Sequence, residues 1–182
     1  MIVSLRGQVV HHGIGFVIVE NTGVGYKVYV TEDRAHLLRG EVHLYTHEVI
    51  RESERELFGF LSVEALELFW KLIGVSGVGP KSGQKIVFAN ETEKVKERIM
   101  AADVSFLTNV PGIGKKTAQK IILELQGVLA QEPNVVGLDR DAVEALTGLG
   151  YSRKDAEGIL SGVEGTTTEE RIRAALKYVA KT

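Results

Sequence analysis

The stretch VSGVGPKSGQKI, Val75–Ile86, is rewritten thirty-five residues later as VPGIGKKTAQKI, Val110–Ile121. Each copy runs apolar residue, x, Gly, β-branched residue, Gly, then a lysine within two residues, then Gln-Lys-Ile. The apolar spacing that follows is helical and no strand-like run precedes either copy, so each predicts a tight turn between two helices. Gly77 and Gly79, like Gly112 and Gly114, can take the positive φ that side chains resist. A turn with Val78 or Ile113 at its centre is expected to expose consecutive backbone N–H groups. The helix after it adds the positive end of its dipole, and the two together suit a phosphate. Lys81 and Lys85 stand beside the first turn; Lys115, Lys116 and Lys120 stand beside the second. Backbone donors carry no base information, so binding through them is expected to ignore nucleotide sequence.

A single Gly-x-Gly is most often a plain helix–helix turn. Here the phrase is doubled and the charge around it is sorted. No acid lies between Leu68 and Asn90, which hold Lys71, Lys81 and Lys85 between them. None lies between Val104 and Leu123, which bracket Lys115, Lys116 and Lys120. Residues 63–126 carry nine basic and seven acidic groups, against six and eight before them and seven and nine after. The formal net charge of −2 therefore hides a basic middle, and local potential is what steers a polyanion. Other glycine motifs fail. A P-loop needs glycine where Asn109 stands and Ser or Thr where Lys116 stands, and a dinucleotide-binding turn needs a strand before it.

Outward from the repeat, residues 1–62 read as β, with five short runs rich in Val, Ile, Tyr and Phe separated by glycine turns. A short helix, EDRAHLL, is expected between the third and fourth runs, which suggests an OB-type barrel, with an SH3-like barrel as the rival. Residues 63–126 read as helical. Val63, Leu66, Phe69, Trp70 and Ile73 form one apolar stripe, with Trp70 expected in the core, and Ala118, Ile121, Ile122, Leu125 and Leu129 form another. Asn90 with Glu93 and Asp103 read as helix caps. Residues 127–138 lose periodicity and read as a linker. Residues 139–182 read as three small helices, the last two opened by capping boxes at Ser152/Asp155 and Thr167/Glu170.

The chain has no cysteine, which excludes disulfides, thiolate chemistry and cysteine-based zinc sites. Its histidines, all within the first segment, show no zinc-ligand spacing, and no metal or cofactor is expected. No apolar run is long enough for a membrane span, and MIVSLRGQVV lacks the apolar core of a signal peptide, which suits a cytosolic protein.

The doubled phrase resembles tandem helix-hairpin-helix DNA-binding motifs. With MIVSLRG, GVGYKV, THEVIRE…ELFGF, GVSGVGPK, VPGIGKKTA and ALTGLGYS…DAEGIL, the whole chain outside the linker resembles the RuvA family, DNA-binding subunits of the bacterial Holliday junction branch migration complex. The resemblance implies an α+β chain. Its parts are an OB-like β-barrel over 1–62, a tandem helix-hairpin-helix domain over 63–126, the linker at 127–138 and a UBA-like three-helix bundle over 139–182. It implies a homotetramer, sometimes doubled to an octamer, that holds a four-way junction open and performs no bond chemistry itself. The DNA-binding residues would be Gly77, Val78, Gly79, Lys81, Lys85, Gly112, Ile113, Gly114, Lys115, Lys116 and Lys120. The last module would tether the RuvB hexameric ATPase through Leu149, Tyr151 and Ile159, residues that otherwise simply fill a small core. The RuvC resolvase is a further candidate partner.

The family carries two adjacent acids on a β-turn projecting into the junction centre. Glu52 matches the first, Ser53 departs from the second, and Glu54 follows. The implied acidic pin is therefore Glu52 with Glu54. Three other functions are compatible with the sequence. One is a DNA glycosylase, disfavoured because Asp139, the first Asp after the second hairpin, falls beyond the linker. Another is a passive duplex-binding module of a different DNA-processing complex, and the last is a protein-interaction scaffold.

Overall fold

The computed structural model describes residues 1–51, 54–130, 140–163 and 167–179. The chain divides into two compact units, Met1–Ala130 and Gln131–Thr182.

Alternation along the first segment turns Val17, Val19, Val28, Val30 and Leu44 inward, all buried. The strands of this segment are β1 (Ser4–Gly13), β2 (Phe16–Asn21), β3 (Val24–Tyr29), β4 (Glu41–Ile50) and β5 (Arg55–Phe60). Side chains of period two need two faces, and closing the sheet gives the inner face a core without leaving an edge. The barrel closes in the order β1-β2-β3-β5-β4. β1 pairs with β2 along one half and β4 along the other, and a register shift between Val9 and His11 marks the bend. Thr22 and Gly23, both at positive φ (47° and 85°), make the two-residue turn between β2 and β3. The helix after the third strand, α1 (Glu32–Leu37), buries Ala35 against the barrel core. Five strands closed in this order make the barrel OB-like rather than SH3-like.

The closing seam is short. β3 and β5 run parallel through only two register pairs, Val28–Leu57 and Tyr29–Phe58. A second core starts on the other side of β5. Phe58 and Phe60 pack with Phe69 at ring-centroid distances of 6.2 and 4.6 Å, and that cluster continues through the helices. Barrel and helical region therefore share apolar packing, which is what fixes one against the other.

The helical region comprises α2 (Val63–Gly74), α3 (Pro80–Val87), α4 (Thr92–Met100), α5 (Val104–Thr108) and α6 (Lys115–Ala130). Residues 127–130, expected as the start of the linker, instead continue α6, where Leu129 extends its buried stripe; the rest of the expected linker, 131–138, lies outside the described residues. Ser62 caps α2 by accepting from the Ala65 N–H, and Asp103 caps α5 by accepting from the Phe106 N–H. The cap expected at Asn90 differs. α4 begins at Thr92 with Glu91 in the N-cap position, and the Asn90 side chain accepts from the Glu91 N–H, one residue too early to serve the helix. Trp70 also departs from expectation. It is 39% exposed, and its Nε1–H donates to His47 Nδ1 at 3.1 Å. The indole needs a hydrogen-bond partner, and the strand β4 imidazole supplies one at the rim rather than in the core.

In the second unit, α7 (Arg140–Gly148), α8 (Arg153–Ser161) and α9 (Thr168–Val179) enclose Ala142, Val143, Leu146, Ala156, Leu160 and Ala175. Ser152 and Thr167 accept from the Asp155 and Glu170 N–H groups, as capping boxes require. No helix among the described residues is long and apolar enough to cross a membrane.

Candidate nucleic-acid interface

Both copies of the repeated phrase fold as a helix, a tight turn and a second helix. In the first, α2 ends at Gly74 and α3 begins at Pro80; in the second, α5 ends at Thr108 and α6 begins at Lys115. Gly77 and Gly112 sit at φ +94° and +95°, the left-handed region where glycine alone is unstrained. The second glycine of each pair does not share that constraint. Gly79 has φ −85° and ψ 167° and is the N-cap of α3, and neither Gly79 nor Gly114 takes a positive φ. Nothing lies within 4 Å of a Cβ built on either one. Neither backbone strain nor internal packing demands glycine there, so the open space lies on the outer face of the turn.

The middle residues also differ from the sequence expectation. Val78 and Ile113 are 6% and 5% exposed, and their N–H groups donate to the carbonyls of Val75 and Val110. The turn is thus held from inside: the apolar side chain plugs the core and its amide closes the loop. Donors without an intrahelical acceptor are instead those of the first turn of the following helix, to which Pro80 contributes none in α3.

The two hairpins lean on each other reciprocally. A methyl at Gly77 would lie 3.8 Å from Thr117 Oγ1, at the start of α6, and a methyl at Gly112 would lie 3.4 Å from Ser82 Oγ, at the start of α3. Ser82 and Thr117 occupy the same place in the two copies of the phrase. The sequence repeat is therefore a structural pseudo-twofold, which places two equivalent helix N-termini on one module. Lys81, Lys85, Lys115, Lys116 and Lys120 are all exposed around them.

Two neighbours of the first hairpin are not visible in the sequence. Gln84 is buried, and its amide donates to the Tyr29 carbonyl at 2.9 Å and the Gly59 carbonyl at 3.0 Å. These carbonyls lie where the two-pair β3–β5 seam gives out, so α3 finishes the closure of the barrel. Gln119, its counterpart in the second copy, is exposed. The residue type is identical, so no sequence signal separates the two roles. Glu56 of β5 is 6% exposed, and its carboxylate faces Lys81 at 3.6 Å and Arg51 at 3.7 Å.

Glu52, the first expected pin acid, and Ser53 lie outside the described residues. Glu54 is exposed at the β4–β5 turn, where its carbonyl accepts from the Arg51 N–H at 2.9 Å. In the second unit, Leu149 is 61% exposed, while Tyr151 and Ile159 are partly buried against their own core. Gly150 at φ +98° explains the difference. The Tyr151 N–H donates to the Leu146 carbonyl and the Gly150 N–H to the Thr147 carbonyl, a Schellman closure that turns Tyr151 inward and Leu149 out.

A five-stranded OB-like barrel packed on a reciprocal pair of helix-hairpin-helix turns defines a class of module in which paired helix N-termini are rimmed by exposed lysines. Residues 69–126 match the SAM-like helix-hairpin-helix tandem; residues 1–59 and 140–180 match the RuvA N-terminal and RuvA C-terminal domains. The chain is 38% identical to the protein named Holliday junction branch migration complex subunit RuvA from Chloroflexus aurantiacus, with 98% of each chain covered. It is 39% identical to the protein of that name from Caldanaerobacter subterraneus subsp. tengcongensis and 38% to that from Mycolicibacterium smegmatis, both over the full length of each chain. The chain belongs to the RuvA family.

Proposed function

We propose that this chain is the junction-binding subunit of a branch migration complex. It binds four-way DNA without regard to base sequence and holds it open while a partner ATPase of the RuvB type drives the arms through. The relatives' shared name supports this, and the observation that carries it is the reciprocal hairpin pair. Two helix N-termini, each fronted by a glycine with nothing over it, are rimmed by five exposed lysines. Phosphate contacts of this kind position a duplex arm without reading it.

The described residues of the site supply the elements of binding, and the chain acts as a cytosolic, non-catalytic subunit. Gly79, Gly114 and the lysines Lys81, Lys85, Lys115, Lys116 and Lys120 contact phosphate. Gly77, Gly112, Val78 and Ile113 shape the turns. Glu54, together with Glu52, supplies negative charge at the β4–β5 turn to keep backbones off the junction centre. A homotetramer matches the fourfold junction, one subunit per arm, with RuvC resolvase as a further partner on the same DNA. Helices α7, α8 and α9 carry the motor contact, with Leu149 the most exposed of the three candidate residues.

Titration against a four-way junction and a linear duplex of equal length, across a salt series, tests this. Roughly eight phosphate contacts in the assembly give a slope of log affinity on log salt near −7, at about −0.9 per contact. Junction preference with such a slope is the expected result. Equal affinity for both DNAs would leave a passive duplex-binding module instead.

A further inference from the structure

Glu56 is the most conspicuous polar group near the hairpins that DNA contact does not explain. It sits on β5, opposite Val49 of β4, with its side chain 8% exposed. Oε2 is fully buried and has no hydrogen-bond partner. Its electrostatic partners are Lys81 Nζ, 3.6 Å from Oε1, and Arg51 Nη2, 3.7 Å from Oε2, both on side chains that are more than half exposed. A carboxylate oxygen held this deep without a hydrogen bond is costly to fold, and an apolar residue of similar size would cost less. Lys81 belongs to the first hairpin, two residues past Gly79. Its counterpart in the second hairpin, Lys116, has no carboxylate within ion-pair distance among the described residues, and neither do Lys115 and Lys120.

We infer that Glu56 is a built-in competitor for the Lys81 ammonium, a positioning residue that lowers the phosphate affinity of the first hairpin relative to the second. This rests on the hairpins being phosphate sites. In the free protein the carboxylate occupies Lys81 from behind. A DNA phosphate arriving at the α3 N-terminus must share that cation with a fixed negative charge that water screens poorly. The second hairpin faces no such competition, so it makes the primary contact and the first makes a weaker, more easily released one. A junction arm held this way can be drawn across the protein surface, because one of its two anchors is weakened by the barrel strand behind it. Arg51 shares the same carboxylate, which draws that guanidinium toward the body of β5 at the base of the acidic turn.

The test is a double-mutant cycle read on a short linear duplex at low salt, using the full chain. Glu56→Gln keeps the shape and removes the charge, and it tightens binding by about threefold in an otherwise unchanged protein. In a Lys81→Ala background the same change leaves affinity unaltered. A purely structural role would give loss of affinity in both backgrounds, and a general field effect would give the same gain in both; either overturns the inference. A second comparison needs no change at Glu56: Lys81→Ala must lose less affinity than Lys116→Ala, and an equal or greater loss also overturns it. If the unaltered chain binds neither duplex nor junction, the hairpins are not phosphate sites and both conclusions fall together. If it binds and Glu56→Gln does not tighten it, only this one falls.

Discussion

The two hairpins share twelve-residue phrases and a common turn, yet the molecule treats them differently. The first is wired to the barrel. Gln84 reaches two barrel carbonyls, Trp70 on α2 reaches His47 on β4, and Lys81 faces Glu56 on β5. The second has none of these ties: Gln119 is exposed, and its three lysines stand clear of acids among the described residues. Their N-termini differ too. Pro80 opens α3 without an N–H, whereas Lys115 opens α6 with an N–H and a charge. A repeated motif thus provides one anchored, attenuated site and one open, strongly basic site. Duplication supplies the geometry, and the surroundings divide the work.

Blocking the two turns one at a time separates the hairpins most directly. Gly114→Asp puts a carboxylate into the open space in front of α6 and should cost on the order of a hundredfold in junction affinity, by setting a negative charge where a phosphate would approach. Gly79→Asp should cost less, because that site is already attenuated. It also comes with a folding control: Asp is a preferred N-cap, so the melting temperature should hold or rise while binding falls. Equal losses in fluorescence-anisotropy titrations would erase the distinction between the hairpins.

Next in size is the anchor. Gln84→Leu removes one buried and one part-buried hydrogen bond and strands the Tyr29 and Gly59 carbonyls, at a cost of about 2 kcal/mol in unfolding free energy. Gln119→Leu, the same change in the second copy, should be neutral within about 0.5 kcal/mol. Chemical denaturation of both variants measures the difference, and similar values would mean that α3 does not complete the barrel.

Single lysines come next. Lys116→Ala should flatten the salt dependence by roughly 0.9 in slope for each phosphate that the ammonium neutralises, and Lys81→Ala by less. The smallest effect concerns pH. Burial lowers the His47 pKa below its ordinary value, and the Trp70 N–H bond needs an unprotonated Nδ1. A histidine depressed in the folded state contributes stability that is present above pH ~6.5 and is lost as pH falls through the unfolded and then the folded pKa. The pair is partly exposed, so the loss should be only about a few tenths of a kcal/mol. Trp70 fluorescence, followed from about pH 7.5 to about pH 5 to span the ordinary histidine pKa, should report the broken bond. His47→Phe should abolish the pH response without disturbing the second hairpin.

The class of fold and the existence of two matching turns are legible in the residue pattern alone. Period-two apolar runs dictate strands, period-3.6 stripes dictate helices, and a glycine that must take positive φ, as at Gly77 and Gly112, announces its turn. The capping side chains Asp103, Ser152 and Thr167 were legible for the same reason: each acts on backbone three residues away. Packing in three dimensions is what separates the glycine in left-handed backbone from the one that is merely uncovered, turns Val78 and Ile113 inward, and leaves Trp70 at the rim. It alone separated Gln84 from Gln119 and placed Glu56 behind Lys81, twenty-five residues away in the chain. Those distinctions depend on what packs against each residue from distant strands. Local periodicity carries no record of such packing, so two nearly identical phrases become two different sites.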